Sequence, residues 1–500
     1  MKKFGKLIVK LRIPILILSV LLLIPAAIGY FNTKVNYDIL YYLPGDIDTM
    51  KGQDILLDDF GKGAYAMVVV DGMNKKNVSE LVKKVEKVDH VASVISYNGI
   101  VGDGVPAEIL PDKFRSYFEN DDSGATLFAI FFDDTTSSTE TMDAIEELRD
   151  VTDKQCYIAG MSAVVTDTKS MSEKETPIYV LVAVLLVCVV LAIFMDSFLV
   201  PVLFMVSIGM AIVYNLGTNI FLGEVSYITK ALAAVLQLGV TLDYSIFLWH
   251  SYKEEKEKNS GDHKEAMAVA IGNTLTSVVG SSITTVAGFI ALCFMSFTLG
   301  LDLGIVMAKG VIFGVIGCVT ILPSLILTFD KALEKTMHKE IMPNFDKPAR
   351  WIVKHSWLFL IVFLGLLYPA IYGYNHTKVY YDLSDTLPDK LNCSQANKLL
   401  AENFDKTNSI YMILADTNLS KDDSIAMIDE IKKLDGISTA MSLDSVVGAE
   451  LPTEMLPDSL VSELKGNEYQ IMMISTNYAI ASDEINDQIC LLYTSPSPRD

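Results

Sequence analysis

The chain has 500 residues, of which 51% are hydrophobic and 20% charged, and its mean hydropathy is +0.36. It is too apolar for an ordinary soluble protein and too charged to lie in a membrane throughout, so we expect membrane spans alternating with polar domains. The net charge of −21 argues against nucleic acid as a partner, and the six cysteines show neither a disulfide framework nor a metal-ligand spacing.

The first apolar run follows a basic N-terminus. Residues 7–31 are predicted to form transmembrane helix 1, because the run can span about 30 Å and ends in bulky Tyr30 and Phe31 rather than in a small-residue cleavage site. The positive-inside rule then places the N-terminus in the cytoplasm and the next segment outside. The basic residues that support this orientation are Lys2, Lys3, Lys6, Lys10 and Arg12.

Residues 32–176 are predicted to form a first external α+β domain. Period-2 segments alternate with amphipathic helical segments in the order βαβ followed by βαβ, which is typical of a ferredoxin-like βαββαβ domain. No catalytic constellation or phosphate loop stands out, which favours binding or conformational coupling. The predicted strands are residues 64–72, 91–97, 126–134 and 155–160, and the predicted helices are residues 75–88 and 139–151.

Residues 177–330 are predicted to form a block of five transmembrane helices, numbered 2 to 6. A cytoplasmic linker at residues 331–355 and transmembrane helix 7 at residues 356–375 follow. Lysine-bearing loops at residues 253–264 and 331–354 then fall on the cytoplasmic side, as the positive-inside rule requires. The five apolar runs of the block are residues 178–195, 199–216, 227–250, 274–297 and 303–329.

Residues 376–489 repeat the beginning of the chain. Residues 376–388 echo residues 32–44, and VVGAELPTEMLPD (446–458) echoes IVGDGVPAEILPD (100–112). The segment is therefore predicted to be a second external α+β domain, incomplete, in a parallel internal repeat.

No second helix block follows residue 489. Residues 490–500 (CLLYTSPSPRD) match nothing in the first half, so we expect a non-native tail on a truncated second repeat. The alternative is a seven-helix protein with a short disordered end.

An ionisable pair lies inside the apolar run at residues 231–250: Asp243 and Tyr244. A carboxylate at mid-membrane depth costs at least about 2.5 kcal/mol, so it marks a functional site by default. We expect Asp243 to be buried and to bind and release a proton, with the Tyr244 hydroxyl about 100° round the helix to share it. Gly239, on the face of Asp243, would allow a neighbouring helix to approach. The alternative is a structural carboxyl bonded to a Ser or Thr of another helix.

Small and polar residues form a stripe on the next helix. Such stripes commonly pack helices, but the hydroxyls could also extend a proton path if they face Asp243. Thr285 adjoins the stripe. Its members, at three- and four-residue spacing, are Thr274, Ser277, Ser281, Thr284 and Gly288.

Two further polar residues lie near the ends of apolar runs. Lys309, with Asp302 seven residues earlier on the same helix face, is either a gating or headgroup-binding charge or a side chain that snorkels or pairs locally. His250 lies either at the cytoplasmic mouth of a proton path or at the membrane interface beside Trp249.

The chain resembles the RND (resistance-nodulation-division) superfamily, in its MmpL-type or hydrophobe-amphiphile exporter branch. The resemblance covers residues 1 to about 489 and rests on the helix–domain–five-helix order, on QLGVTLDY (237–244) and on SSITTVAGF (281–289). It implies a multi-pass protein of the cytoplasmic membrane that exports lipids or other hydrophobic or amphiphilic molecules. Asp243 and Tyr244 would form half of a proton relay whose counterpart lies in a tenth helix, beyond this chain.

The resemblance implies H⁺ as the coupling ion, with no other cofactor and no metal. Membrane lipids and a hydrophobic or amphiphilic small molecule would be the partners, and related branches form homotrimers. Rival interpretations are a sterol-sensing-type sensor or scaffold and a proton-driven protein-translocation helper of the same superfamily. A membrane-anchored enzyme lacks support, because the sequence shows no catalytic constellation.

Overall fold

The computed structural model describes residues 2–97, 99, 115, 116, 118–152, 155–258, 262–338, 346–377, 387–404, 409–447, 461, 463–478 and 482–494. The chain forms two compact units. Met1–Pro44 and Met171–Lys378 make up one, here called the helical unit, and Gly45–Ser170 and Val379–Asp500 make up the other, the α/β unit.

The helices are α1 Lys2–Lys10, α2 Arg12–Asn32, α3 Asp48–Phe60, α4 Lys75–Val85, α5 Thr139–Val151, α6 Met161–Phe194, α7 Leu199–Gly217, α8 Tyr227–Lys258, α9 His263–Leu292, α10 Leu299–Ile316, α11 Leu322–Thr328, α12 Asp330–Lys335, α13 Asp346–Lys354, α14 Ser356–His376, α15 Asn392–Phe404, α16 Lys421–Ile431, α17 Leu443–Val447 and α18 Asp483–Thr494. The strands are β1 Lys34–Asn36, β2 Ala64–Val70, β3 Val91–Ile95, β4 Thr126–Phe132, β5 Cys156–Ala159, β6 Glu224–Ser226, β7 Ser409–Asp416, β8 Ile437–Met441 and β9 Tyr469–Thr476.

Seven helices of the described residues are long and apolar enough to cross a membrane, and each coincides with a predicted apolar run. They are α2, α6, α7 with the 3₁₀ turn after it, α8, α9, α10 with its continuation into α11, and α14. A π-helical segment, Gly317–Ile321, joins α10 to α11. The prediction of seven spans is therefore confirmed for the described residues.

The core of the helical unit lies among α7, α8, α9 and α10. Phe204, Leu248, Ile271 and Met307 are fully buried there. The helices approach closely where side chains are small, as where Gly29 of α2 lies against the backbone of α7. α14, by contrast, has no buried residue.

The α/β unit contains two antiparallel sheets that share one strand order. The first has the order β3-β4-β2-β5 and the second β7-β9-β8, so the second lacks only a counterpart of β5 among the described residues. Both carry a bulge near the start of the strand after the first helix crossover, at Val91/Ser93 and at Ile437/Thr439. Burial alternates at the start of β2, as the period-2 pattern predicts, whereas β3 is only half-buried.

Some predicted boundaries were wrong. α6 begins at Met161 rather than at residue 177, because residues 161–176 contain neither Gly nor Pro and because Ala163 and Val164 pack into the core of the first sheet. The first apolar run is divided at Leu11 into a basic helix, α1, and the span α2. Residues 253–258, within the lysine-bearing segment 253–264, continue α8 as helix.

Several predicted segments fall partly or wholly outside the described residues. Residues 100–112, most of residues 446–458 and residues 378–386 of the repeat lie there. Of the segment predicted to be a non-native tail, residues 490–494 belong to α18, whereas residues 495–500 lie outside the described ranges. Helices α3 and α15 were not predicted from the sequence.

Candidate functional site

Asp243 lies in the middle of α8 with its side chain exposed. Within the described ranges its carboxylate has neither a hydrogen bond nor an ion pair. The expectation of burial is therefore not met, because α8 packs against its described neighbours through its other faces. Gly239 lies on the same exposed face, and no described atom lies within 4 Å of where a Cβ would be.

Tyr244 points into the bundle and is only 7% exposed. It packs among the buried residues of the helical core, with Leu248 and Val278 in the same cluster. The 100° step between consecutive helical residues separates the two members of the pair. Asp243 thus lies on an open face of α8, whereas Tyr244 lies on a packed one.

The predicted small-residue stripe on α9 is divided in the same way. Thr274 is buried, whereas Ser277, Ser281 and Thr284 are exposed and Thr285 is half-buried. The hydroxyls of Thr284 and Thr285 donate to the carbonyl oxygen of Ser281, at 2.7 and 3.2 Å. These two hydroxyls therefore bond within their own helix.

Lys309 and Asp302 lie on α10 but have separate partners. The Lys309 ammonium donates to Asn219 Oδ1 at 2.6 Å. Asp302 Oδ2 accepts from the Ser226 backbone NH at 2.8 Å and from the Thr229 hydroxyl at 2.7 Å, at the start of α8. Lys309 thus pairs locally, which was one of the two predicted roles, and Asp302 caps the helix that carries Asp243.

Trp249, rather than His250, makes the structural contact near the end of the α8 span. The Trp249 indole NH donates to Asp196 Oδ1 at 3.0 Å, and the Lys253 ammonium lies 3.1 Å from Asp196 Oδ2. His250 is exposed. This buried carboxylate in the α6–α7 turn was not predicted to have a role.

His263, Asp330 and Glu334 offer atoms close enough together to hold a metal ion. The His263 ring lies 2.7 Å from Asp330 Oδ2 and 3.8 Å from Glu334 Oε1. The Lys256 ammonium already lies 3.2 Å from Glu334 Oε1. The cluster is thus already linked to Lys256 through Glu334.

An apolar cavity of about 110 Å³ lies inside the α/β unit, between the two sheets. Met67, Ala129 and Phe131 of the first sheet face Met441 and Met473 of the second. No charged residue is among the described residues that line it. The other lining residues are Ile95, Phe118, Leu127, Leu400, Ile410, Thr439, Ile474 and Ser475.

An ion pair with a buried ammonium lies beside this cavity. The Lys62 ammonium lies 2.5 Å from Glu463 Oε2 and 5.0 Å from the centre of the Phe131 ring. Burial lowers the pKa of Lys62, and the hydrogen bond and the charge of Glu463 oppose that shift. The anion beside this ammonium therefore favours its charged form.

The profile of the MMPL family matches residues 43–357, more than half of the chain. The chain belongs to the MMPL family. Its spans and its relatives described as membrane proteins make it a multi-pass membrane protein.

Relatives of this MMPL protein include an archaeal membrane protein and two exporters. A Methanocaldococcus jannaschii membrane protein is 25% identical over 63% of this chain and 90% of its own length. The siderophore exporter MmpL5 of Mycobacterium tuberculosis is 21% identical over 63% of this chain and 34% of its own length. The apo-petrobactin exporter of Bacillus anthracis is 22% identical over 62% and 42%. The match thus spans less than half of each exporter.

One polar contact inside the bundle of this MMPL protein was not predicted from its sequence. Asn215 Nδ2 of α7 donates to Gln237 Oε1 of α8 at 3.0 Å, and both residues are almost completely buried. Gly310 of α10 provides the space, since a Cβ there would lie 2.6 Å from Asn215 Nδ2. The rule that singled out Asp243, a polar side chain inside an apolar run, would also have found Asn215 and Gln237.

Proposed function

We propose that this chain is part of a proton-motive-force-driven exporter of lipids or other hydrophobic or amphiphilic molecules. The observation that carries the proposal is Asp243, an exposed carboxyl in the middle of a membrane-length helix with no partner within the described ranges. In a membrane such a carboxyl must either be protonated or contact a polar or charged group of another helix. Both states occur in a proton relay. The two relatives named as exporters support the direction of transport.

The relay would use the open face of α8. Asp243 would take up and release the proton, and Ser277, Ser281 and Thr284 of α9 would border its path. A carboxylic counterpart would come from a second helix block related to the first by a parallel repeat. The shared strand order of the two sheets supports that repeat, in which each ferredoxin-like domain lies outside the membrane.

The apolar cavity of the α/β unit would receive the substrate. Thirteen lining residues without a charge suit the tail of a lipid or another amphiphile. The basic residues of α1 and the lysines at the end of α8 would face the cytoplasm, in a cytoplasmic membrane. The whole assembly would be an oligomer, as in related trimeric branches.

Replacing Asp243 tests the proposal. Asp243→Asn removes the titratable group at almost constant size. In proteoliposomes that hold this chain together with the second helix block, substrate-dependent proton flux under a pH gradient should therefore fall by about 100-fold or more. Asp302→Asn is the matched control, because its amide oxygen can still accept from Ser226 and Thr229 while α8 keeps its cap. Flux of the Asp243→Asn variant at the wild-type level would contradict the relay.

The same variant separates the rival functions. A sterol-sensing-type sensor or scaffold would keep its output in the Asp243→Asn variant, since its response requires no proton transfer. A protein-translocation helper would lose activity, but deletion of its gene would block secretion and leave lipid efflux unchanged. Measuring efflux and secretion in one deletion strain distinguishes the helper from the exporter.

A further inference from the structure

The two side chains of the ion pair beside the cavity differ in their exposure to water. The Lys62 side chain is 4% exposed, whereas that of Glu463 is 28% exposed. Lys62 Nζ also donates to the Glu463 backbone oxygen at 2.6 Å, and the Ser93 hydroxyl donates to Glu463 Oε2 at 2.8 Å. Glu463 can therefore turn towards water, but the Lys62 ammonium cannot follow it.

The register of β3 and β4 places the Lys62–Glu463 pair at one end of the cavity. Ser93 and Ile95 are two residues apart on β3 and so lie on the same face of the sheet, and Ile95 lines the cavity. Ser93 is paired with Phe131 across the sheet, and Phe131 also lines the cavity. Among the described residues, the space thus has an apolar lining with the Lys62 ammonium and its partner Glu463 at one edge.

We propose that Lys62 binds the anionic headgroup of an amphiphile whose tail fills the cavity, and that Glu463 neutralises Lys62 while the cavity is empty. This inference rests on the proposed function and specifies its substrate class. A buried ammonium that loses its partner must find another anion, because an unpaired buried charge is strongly unfavourable. A cationic headgroup at this edge would compete for Glu463 and leave Lys62 unpaired.

The probe that tests this is 11-(dansylamino)undecanoic acid, with its neutral methyl ester as the reference ligand. Dansyl fluorescence would be titrated on the 500-residue chain in a non-ionic detergent. Lys62→Met should weaken binding of the acid by about tenfold or more and leave the ester unchanged, because it removes a charge-assisted hydrogen bond. Lys62→Arg should keep binding of the acid. Lys76→Met, which removes an exposed charge of the same unit, should change neither ligand.

Glu463→Gln provides a test in which the expected result is tighter binding, which misfolding of the variant could not produce. It removes the competing carboxylate, so the acid should bind more tightly, by up to about tenfold, while the ester should not. Equal changes for acid and ester in Lys62→Met, or weaker binding of the acid in Glu463→Gln, would overturn the headgroup assignment. Tighter binding of the corresponding dansylated undecylamine than of the acid to the unaltered chain would favour cationic substrates instead and would likewise overturn it.

Ala129→Trp separates this inference from the proposed function. Ala129 lines the cavity, so an indole there should block both ligands. Suppose that Ala129→Trp blocks both ligands, but that the Lys62 and Glu463 variants change binding of the acid no more than binding of the ester. Then the cavity is the binding site, and only the headgroup assignment fails. If Ala129→Trp affects neither ligand, the cavity is not the binding site, and both proposals about it fail.

Discussion

Polar residues lie on two faces of α8, one packed against other helices and one exposed. On its packed side, Gln237 and Thr241 are buried against α7 and α10, and Gln237 bonds to Asn215. On its open side, Asp243 is exposed without a polar partner among the described residues, and no described atom lies within 4 Å of a Cβ at Gly239. The packed side therefore holds the bundle together, whereas the open side is free to do chemistry or to receive another helix.

The difference shows that polarity inside an apolar run does not identify a function by itself. Asn215 and Gln237 bond to each other, and glycines on α10 make room for them, as expected of helix contacts in a membrane. Asp243 lacks such a partner within the described part of the chain. Stability should therefore respond to changes on the packed side and hardly at all to changes on the open side.

The largest effect is expected at Gly310. Gly310→Leu would force a side chain onto Asn215 and Gln237, and overpacking of this kind lowers the free energy of unfolding by about 3 kcal/mol. Gly239→Leu is the control, because it adds the same side chain where no atom lies within 4 Å. Thermal unfolding in detergent measures both. Equal losses would show that the open face of α8 is packed after all.

A smaller loss is expected for Gln237→Leu. The change leaves the Asn215 side-chain amide buried without its partner, so the free energy of unfolding should fall by about 2 kcal/mol. The double variant Asn215→Leu/Gln237→Leu should recover most of that loss, since no unpaired amide would remain. A double variant that is less stable than Gln237→Leu would contradict a role for the pair in stability.

Removing the cap of α8 should have a still smaller effect. Asp302→Ala deletes the oxygen that accepts from Ser226 and Thr229, and loss of such a cap lowers the free energy of unfolding by about 1 kcal/mol. Asp302→Asn should retain most of the stability. If Asp302→Ala unfolds like the unaltered protein, the start of α8 does not depend on this contact.

The stripe on α9 should show the smallest effects. Ser277→Ala, on the exposed part, should change the free energy of unfolding by less than about 0.5 kcal/mol. Thr274→Val, on the buried part, should be neutral or stabilising, because the Thr274 hydroxyl is buried without a partner among the described residues. A clear loss in Thr274→Val would reveal a hydrogen bond to a group outside the described ranges.

Much of the architecture could be predicted because the signals are local. Apolar runs of membrane length and period-2 strands are patterns of consecutive residues. The seven spans and the order of strands and helices could therefore be predicted. Helices α3 and α15 were missed because each precedes the first strand of its sheet and so lies outside the βαβ order that divided the segment. The start of α6 was misplaced because its first turns are polar and are stabilised by packing against the first sheet.

The sequence by itself determined that Asp243 is an ionisable residue inside a membrane-length helix, and that the chain alternates helices with α/β domains. Only the tertiary structure decided which face of α8 is open, because that depends on neighbours rather than on α8 itself. The same holds for Lys62 and Glu463, which are separated by 401 residues along the chain. Contacts at such separations are made by the folded chain, and no local pattern encodes them.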